Sequence, residues 1–167
     1  MDIIDFYDKD KCRTGETGTH TKDGVYRLVV HLCLFSKGRM LIQKRSENCI
    51  KWAGLWDLTV SGCALKGENG RDAAMRELRE ELGLELDLSN ARPAFTVSFK
   101  TGFDEVFLTE ADVDISQIKL QEDEVSDVCW ATLDEILALR ENGNFTPFSP
   151  DYLKLLFFVY KAEDVME

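Results

Sequence analysis

A stretch of 23 residues, Gly62 to Leu84, limits the possible fold and function of this chain more than any other part of the sequence. It reads GCALKGENGRDAAMRELREELGL, and its second half is predicted to be helical. Residues three and four apart on a helix are neighbours, so Glu77, Glu80 and Glu81 share one face. Like charges at these spacings destabilise a helix by roughly 0.2–0.5 kcal/mol per pair. The face therefore indicates a cation site, and a solvated acidic helix surface is the alternative.

The same helix has an apolar side. It is predicted over residues 71–82, and Gly83 suits the left-handed position just past its end. Ala74, Leu78 and Leu82 lie within about 100° of each other, beside the acidic face. One side of the helix can therefore pack in a core while the acidic side borders a cleft.

Length and composition limit the class of protein. The chain has 167 residues, enough for a single domain over 1–167. Its net charge of -11 argues against a nucleic-acid polymer as partner, because no basic surface would neutralise the phosphates. The five scattered cysteines and the lack of a signal-peptide pattern predict a cytoplasmic protein. Its apolar runs are too short to span a bilayer, so no membrane partner is expected.

Turn residues and apolar patterns divide the rest of the chain. Residues 1–24 are polar and contain glycines, and we expect a short N-terminal lead ending in a loop. Capping residues Thr132 and Ser149 predict two helices, up to Arg140 and about Lys161. The order of elements predicts an α+β sandwich with a mixed sheet between helices. Strands are predicted over residues 25–35, 39–45, 56–61, 95–100, 105–113 and 124–130.

The fixed positions of the central stretch form a known pattern. Glu68 follows Gly62 after five residues, and the run from Arg76 reads Arg-Glu-Leu-x-Glu-Glu-x-Gly-Leu. This pattern resembles the Nudix box with every defining position filled. The resemblance to Nudix hydrolases extends more loosely along the whole chain. It implies a Nudix-type α/β/α sandwich in which residues 62–84 form a loop-helix-loop.

The chemistry of these residues agrees with the resemblance. Cleavage of a diphosphate needs its oxygens neutralised and a water made nucleophilic, and Mg²⁺ with hard oxygen ligands does both. Glu68 and Arg76 are expected to be architectural, with the guanidinium pairing a carboxylate and orienting the loop. The ligands that the resemblance implies for one to three divalent ions, Mg²⁺ with Mn²⁺ as a possible substitute, are the Gly62 carbonyl oxygen, Glu77, Glu80 and Glu81.

The general base is left open by the sequence. In Nudix hydrolases it is sometimes a glutamate of the box and sometimes one from a later loop. The later candidate in this chain is Glu124, with Glu122 and Asp123 beside it. The alternative for this trio is a charged loop before a strand.

The flanking segments resemble one branch of the superfamily, the proteins similar to isopentenyl-diphosphate isomerase. These segments are DFYDKDKCRTGETG, VYRLVVHLCLF, LIQKRSENCIKWAGLWDLTVSG and the stretch from DEV to Trp130. The chain departs from the isomerases at Ser61, where they use a cysteine, and at Arg27 and Cys63, where they have metal-binding histidines. His20 aligns with a third histidine, but a single ligand does not make a site. We therefore expect hydrolysis of an organic or nucleoside diphosphate, with isomerisation or non-catalytic nucleotide sensing as alternatives.

Substrate-binding candidates lie before the box. Arg45 aligns with an arginine that binds diphosphate in the isomerase branch, and its guanidinium suits a bidentate phosphate contact. Lys51 and Trp52 are further candidates, with a solvated cation and a core or lid tryptophan as the alternatives. His31 lies in an apolar strand and is predicted to be a core residue. The expected partner is a small-molecule diphosphate, and an exposed apolar N-terminal strand could support a homodimer.

Overall fold

The computed structural model describes residues 2–162. Its helices are α1, α2 and α3 over Gly70–Leu82, Leu133–Glu141 and Pro150–Lys161. Its strands β1 to β9 are Ile4–Tyr7, Arg13–Gly18, Arg27–Ser36, Arg39–Arg45, Trp56–Asp57, Val60–Cys63, Phe95–Phe99, Gly102–Glu110 and Val125–Ala131. A 3-10 turn covers Ile115–Gln117. None of the described helices is long and apolar enough to cross a membrane.

The main sheet is mixed and is built around β3. Among the described residues it has seven strands, with a continuous order β5-β4-β3-β8-β7. The pairing of β3 with β8 is parallel, and the other pairings are antiparallel. Strand β6 pairs with the first half of β3, and β9 pairs with β4. No strand of the described residues pairs with the other edge of β6, so that edge is open.

Alternation along β3 divides the core into two layers. Leu28, Val30, Leu32 and Leu34 pack against α1 in one cluster of buried residues. Cys33 and Phe35 point to the opposite face and belong to a second cluster, which includes residues of α2 and α3. Helices therefore cover both faces of a mixed sheet. The predicted α+β sandwich of α/β/α type is confirmed.

The helix ends follow from local sequence. Asn69 caps α1 by accepting from the backbone of Asp72, whose side chain accepts from the Asn69 backbone in turn. Gly83 ends this helix in the left-handed region at φ 64°, as predicted. Thr132 forms the predicted capping box of α2, and Ser149 caps α3. The caps fix where each helix begins and therefore which side chains reach the site.

The N-terminal lead was predicted as polar chain ending in a loop; it does end in a loop at residues 19–24, but two strands precede that loop and were not predicted. Strands β1 and β2 form an antiparallel ribbon in this segment. Ile4, Phe6 and Tyr7 of β1 are buried in the same chain, so the exposed apolar strand invoked for a homodimer is not there. The polar sequence of β2 did not predict a strand. A strand in a two-stranded ribbon can form from backbone hydrogen bonds alone when its side chains face solvent.

The predicted strand over residues 56–61 is two short strands. Strand β5 pairs with β4, and β6 pairs with β3. Between them, Thr59 is fully buried; its hydroxyl donates to the carbonyl oxygen of Leu41 and accepts from the amide of Leu34. The side-chain bonds of Thr59 replace ladder bonds at the point where the chain moves from one neighbour to the other. Residues 60–63 are thereby placed beneath α1.

Candidate active site

Glu77 lies directly against the bare face of Gly62. A β-carbon on residue 62 would overlap the Glu77 carboxylate. Gly62 pairs with Val30 of β3, on the face of the sheet that α1 covers. Glycine is required at this position because any larger residue would displace the glutamate.

Arg76 joins the loop before α1 to the acidic face of the helix. Its Nε and Nη2 donate to the two carboxylate oxygens of Glu68 at 2.8 and 3.1 Å, and Nη2 also donates to the Cys63 carbonyl oxygen at 2.9 Å. Its Nη1 donates to Glu77 at 2.8 Å and to Glu80 at 3.1 Å. Glu68 in turn accepts from the Leu65 amide. The architectural roles predicted for Glu68 and Arg76 agree with these contacts.

The three predicted carboxylates differ in environment. Glu81 is buried, and Oε2 of its carboxylate accepts from the Gln43 amide nitrogen at 2.8 Å. The Glu77 side chain is 13% exposed, whereas that of Glu80 is 53% exposed. The shared acidic face therefore runs from the protein interior at Glu81 to solvent at Glu80.

Burial and mutual repulsion disfavour charge on two of these groups. Burial raises the pKa of Glu77 to about 7; Arg76 opposes the rise, and the charges of Glu80 and Glu124 add to it. Burial also raises the pKa of Glu81 well above its ordinary value, and the charge of Glu77 raises it further. Buried carboxylates that repel one another are stabilised by a cation between them.

The charge of Glu124 affects two carboxylates of α1. Its charge raises the pKa of both Glu77 and Glu81. The Glu124 backbone accepts from the Ser46 amide, and its exposed side chain accepts from the Gln121 amide group at 3.3 Å. The structure therefore brings the later-loop candidate towards the box.

The donor set fits a hard divalent cation. Among residues 2–162, no three His, Cys, Asp or Glu side chains are gathered closely enough to hold a metal ion. Arg76 donates to Glu77 and Glu80, and Gln43 donates to Glu81. Glu77 and Glu81 supply the oxygen donors that hard divalent cations prefer, and the Gln43 carbonyl oxygen is buried without a hydrogen-bond partner beside Glu81.

The three predicted substrate-binding residues, Arg45, Lys51 and Trp52, lie on two different faces of the sheet. Arg45 donates to the Lys51 carbonyl oxygen at 3.1 Å and to Asp57 at 3.5 Å, and its charge lowers the pKa of Glu81. Arg45 therefore lies on the side of the carboxylates. Lys51 and Trp52 instead line a cavity of about 610 Å³ on the other face of the sheet.

His31 was predicted to be a core residue; its side chain is only 14% exposed, but it lies outside both core clusters and lines the same cavity. Its Nδ1 lies 2.8 Å from both carboxylate oxygens of Asp104. Asp104 was not a candidate at all. Alternation along β3 could have indicated this position: His31 shares a face of the strand with Cys33 and Phe35, but lies nearer the start of the strand and outside their cluster.

Two cysteines near the site are not activated. Burial raises the pKa of the Cys63 thiol, which keeps it protonated and weakly nucleophilic. The Cys49 thiol donates to the Glu124 carbonyl oxygen. Neither contact activates a thiol as a nucleophile.

A family match agrees with this fold and site. The NUDIX domain matches residues 25–153, which is more than half of the chain. The chain therefore belongs to the Nudix family, and it is a Nudix hydrolase.

Two similar proteins come from Listeria. An uncharacterized Nudix hydrolase of Listeria innocua is 42% identical over 154 residues, covering 92% of this chain and 90% of that protein. An uncharacterized Nudix hydrolase of Listeria monocytogenes is 39% identical over 169 residues, covering 99% of each. An isopentenyl-diphosphate delta-isomerase of Aromatoleum aromaticum is more distant, at 28% identity over 80% of this chain and 72% of that protein.

A solved structure gives the same fold. The crystal structure of a Deinococcus radiodurans protein, DR0079, superposes with a TM-score of 0.72 and covers 95% of this chain and 99% of that one. The two sequences are 22% identical, so this likeness concerns the fold alone.

Proposed function

We propose that this Nudix hydrolase uses Mg²⁺, with Mn²⁺ as a possible substitute, to cleave a diphosphate linkage in an organic or nucleoside diphosphate by attack of water on phosphorus. The observation that carries the proposal is the Glu77 carboxylate on the bare face of Gly62, beside the buried Glu81. A helix that only presented acidic residues to solvent would have no need to bury two of them against a glycine and an amide.

Four groups would hold the metal. Bound Mg²⁺ would neutralise charge on the phosphate oxygens and lower the pKa of a water. The proposed ligands are the Gly62 carbonyl oxygen, Glu77, Glu80 and Glu81. Arg76 keeps Glu77 and Glu80 in a fixed direction through its two bonds to them, and its bonds to Glu68 tie the helix to the preceding loop.

The remaining candidates act on the substrate and on the water. Glu124 is proposed as the general base, accepting the proton of the attacking water at its carboxylate; a glutamate of the box is the alternative. Arg45 is proposed to bind the diphosphate, because its guanidinium lies close enough to Glu81 to lower the pKa of that carboxyl. Lys51 and Trp52 are proposed to bind the substrate at the edge of the cavity.

The test is product release from a panel of diphosphates, with Mg²⁺, with Mn²⁺ and with a chelator. The panel holds nucleotide sugars, dinucleotides, nucleoside triphosphates and isoprenoid diphosphates. We expect metal-dependent release from at least one class, and a loss of turnover by orders of magnitude in Glu80→Gln or Glu81→Gln with the fold intact. Near-normal activity in both variants would contradict the assignment.

The same panel separates the alternatives. Conversion of isopentenyl to dimethylallyl diphosphate without phosphate release would support an isomerase, which Ser61 at the position of the isomerase cysteine argues against. Binding without cleavage of any compound would support a nucleotide sensor. A cytoplasmic location and a homodimer are further proposals, and light scattering of the purified protein tests the second.

A further inference from the structure

Gln43 is a buried polar residue that follows the apolar residues of β4. Met40 and Ile42 pack in the core cluster that includes residues of α2 and α3, whereas Leu41 packs in the cluster under α1. Because side chains alternate along a strand, Gln43 lies on the same face as Leu41, the face that α1 covers. Gln43 is only 2% exposed. Its amide group is therefore held inside the protein, beneath the helix that carries the candidate metal ligands.

The nitrogen of this amide holds a carboxylate of α1. Nε2 of Gln43 donates to Oε2 of Glu81 at 2.8 Å, and Glu81 is itself buried. An ionised carboxylate has only acceptors, so the amide turns its nitrogen towards Glu81 and its oxygen away from it. Because the amide is neutral, it fixes the direction of the carboxylate without cancelling the negative charge, as a lysine would. The hydrogen bond engages one carboxylate oxygen and leaves the other to bind a cation.

The oxygen of the same amide has no partner. Among residues 2–162, three buried side-chain polar atoms lack a hydrogen bond, and Oε1 of Gln43 is the one that lies beside a carboxylate of α1. The other two, in Arg27 and Tyr152, line the cavity on the opposite face of the sheet. Leaving a buried acceptor unpaired costs free energy, so native proteins usually satisfy it with a water or a ligand. An apolar side chain of similar length would bury no unpaired oxygen.

The neighbours of Gln43 on the sheet do not supply the missing donor. The adjacent strand positions are Val128 on β9, which is apolar, and Asp57 on β5, whose carboxylate oxygens accept hydrogen bonds. Arg45, two residues further along β4, donates to a backbone carbonyl oxygen and to Asp57. Mg²⁺ in proteins usually keeps several of its waters, and the hydrogens of those waters point away from the ion. A cation bound at Glu81 would therefore bring donors to this place.

We propose that Gln43 is a positioning residue of the metal site: Nε2 directs the Glu81 carboxylate towards the divalent cation, and Oε1 accepts a hydrogen bond from a water that the cation carries. The inference rests on the proposed function for the presence of the cation, but it assigns a role to a residue outside residues 62–84. In this arrangement both ends of the buried amide are paired only when metal is bound. Pairing of the oxygen therefore contributes to the affinity for the metal.

The test is the binding of Mn²⁺ alone to the purified protein, measured by electron paramagnetic resonance of the free ion. Gln43→Met keeps the length of the side chain and removes both polar ends, so Mn²⁺ should bind about tenfold more weakly. Gln43→Glu removes the donor but places two acceptor oxygens and a negative charge beside Glu81. Its affinity for Mn²⁺ should equal or exceed that of the unchanged protein.

The order of these two variants separates metal positioning from a merely structural role. If Gln43 only filled the core, Gln43→Glu would be the more damaging change, because it adds an unpaired charge to a buried site. Thermal unfolding gives a second measurement of the same order. Mn²⁺ should raise the unfolding midpoint of Gln43→Glu by more than that of Gln43→Met.

Gln117→Met is the matched control. It makes the same substitution in an exposed 3-10 turn, where the Gln117 amide donates to Asp114. Its affinity for Mn²⁺ should stay within about twofold of that of the unchanged protein.

Metal binding and hydrolysis fail independently in this design. Mn²⁺ binding by Gln43→Met within about twofold of the unchanged protein, or weaker binding by Gln43→Glu than by Gln43→Met, would overturn the inference and leave the proposed hydrolysis intact. No Mn²⁺ binding by the unchanged protein would also overturn the inference, and the diphosphate panel would then decide the proposed function separately. The expected order in a protein that cleaves none of the panel would support the role of Gln43 and overturn the proposed function.

Discussion

Glu77 occupies the space that a side chain on residue 62 would need, so the position of its carboxylate depends on a glycine at residue 62. Gly62→Ala should push the carboxylate off the strand and lower turnover by at least about 100-fold, because a displaced metal ligand changes the geometry of the whole site. The fold should survive, since the clash is with the end of a flexible side chain. Steady-state kinetics and circular dichroism measure the two effects.

Cys63→Ala is the control for that substitution. It changes the next residue of β6 but keeps the backbone that accepts from Arg76. Activity should remain within a fewfold of the unchanged protein. If Gly62→Ala were as active as Cys63→Ala, close packing at residue 62 would have no catalytic role.

The stability of the metal-free protein should depend on pH with a defined sign. Burial raises the pKa of Glu77 to about 7 from an ordinary value of 4.5. A carboxyl whose pKa is higher in the folded state contributes stability that is present below the unfolded pKa and is lost as pH rises through the folded pKa. Between about pH 4.5 and 7, Glu77 should therefore remove on the order of 3 kcal/mol, and Glu81 should add to the loss.

Mg²⁺ should reverse this loss, because it binds the ionised carboxylates of the folded state. Thermal unfolding in chelator and in Mg²⁺ should therefore diverge as pH rises from 5 to 8. Glu81→Gln should raise the midpoint of the chelated protein at pH 8 and shrink its response to Mg²⁺. A midpoint shift with Mg²⁺ that is equal at pH 5 and pH 8 would argue against a carboxylate metal site.

Arg76 should be needed for stability as well as for catalysis. It donates to Glu68, Glu77, Glu80 and the Cys63 carbonyl oxygen, and its side chain is only 17% exposed. Arg76→Lys loses the planar fork and cannot make all of these bonds, so we expect a loss of about 2 kcal/mol in the free energy of unfolding. Arg79→Lys, on the exposed side of the same helix, should change it by less than about 0.5 kcal/mol. Equal effects of the two substitutions in urea denaturation would contradict the role of Arg76.

Glu124 and the glutamates of the box can be separated by what each variant loses. If Glu124 accepts the proton of water, Glu124→Gln should lower kcat by about 100-fold or more and leave the affinity for Mg²⁺ nearly unchanged. Glu122→Gln alters a neighbouring exposed carboxylate and should have little effect on either quantity. A kcat for Glu124→Gln near that of the unchanged protein would assign the base to the box.

Local sequence patterns predicted α1, which carries the candidate site, and the residues that surround it. Thr132 and Ser149 located the starts of α2 and α3, Gly83 located the end of α1, and the resemblance implied that Arg76 pairs with a carboxylate. The reason is that caps, helical period and ion pairs over eight residues are short-range interactions. The resemblance to Nudix proteins is confirmed by the family match to residues 25–153.

The features that the sequence did not predict depend on packing between residues that are far apart in the chain. Strand β1 is buried because its apolar side chains pack against the rest of the chain. The sequence of residues 4–7 alone does not predict this packing. His31 lies in an apolar strand, yet it lines a cavity together with Phe148 and Tyr152, which are distant from it in sequence. Asp104 is 73 residues away from it in sequence, and only the parallel pairing of β3 with β8 brings the two together.

The central claim is that water attacks phosphorus in a reaction that depends on the carboxylates of α1. The most direct measurement is phosphorus NMR of the products formed in ¹⁸O-labelled water with Mg²⁺, using whichever diphosphate of the panel is cleaved. We predict that the label appears on a phosphate product, and that neither chelated protein nor Glu81→Gln forms that product. A labelled carbon centre with unlabelled phosphate, or conversion of isopentenyl diphosphate to its isomer without phosphate release, would contradict the claim.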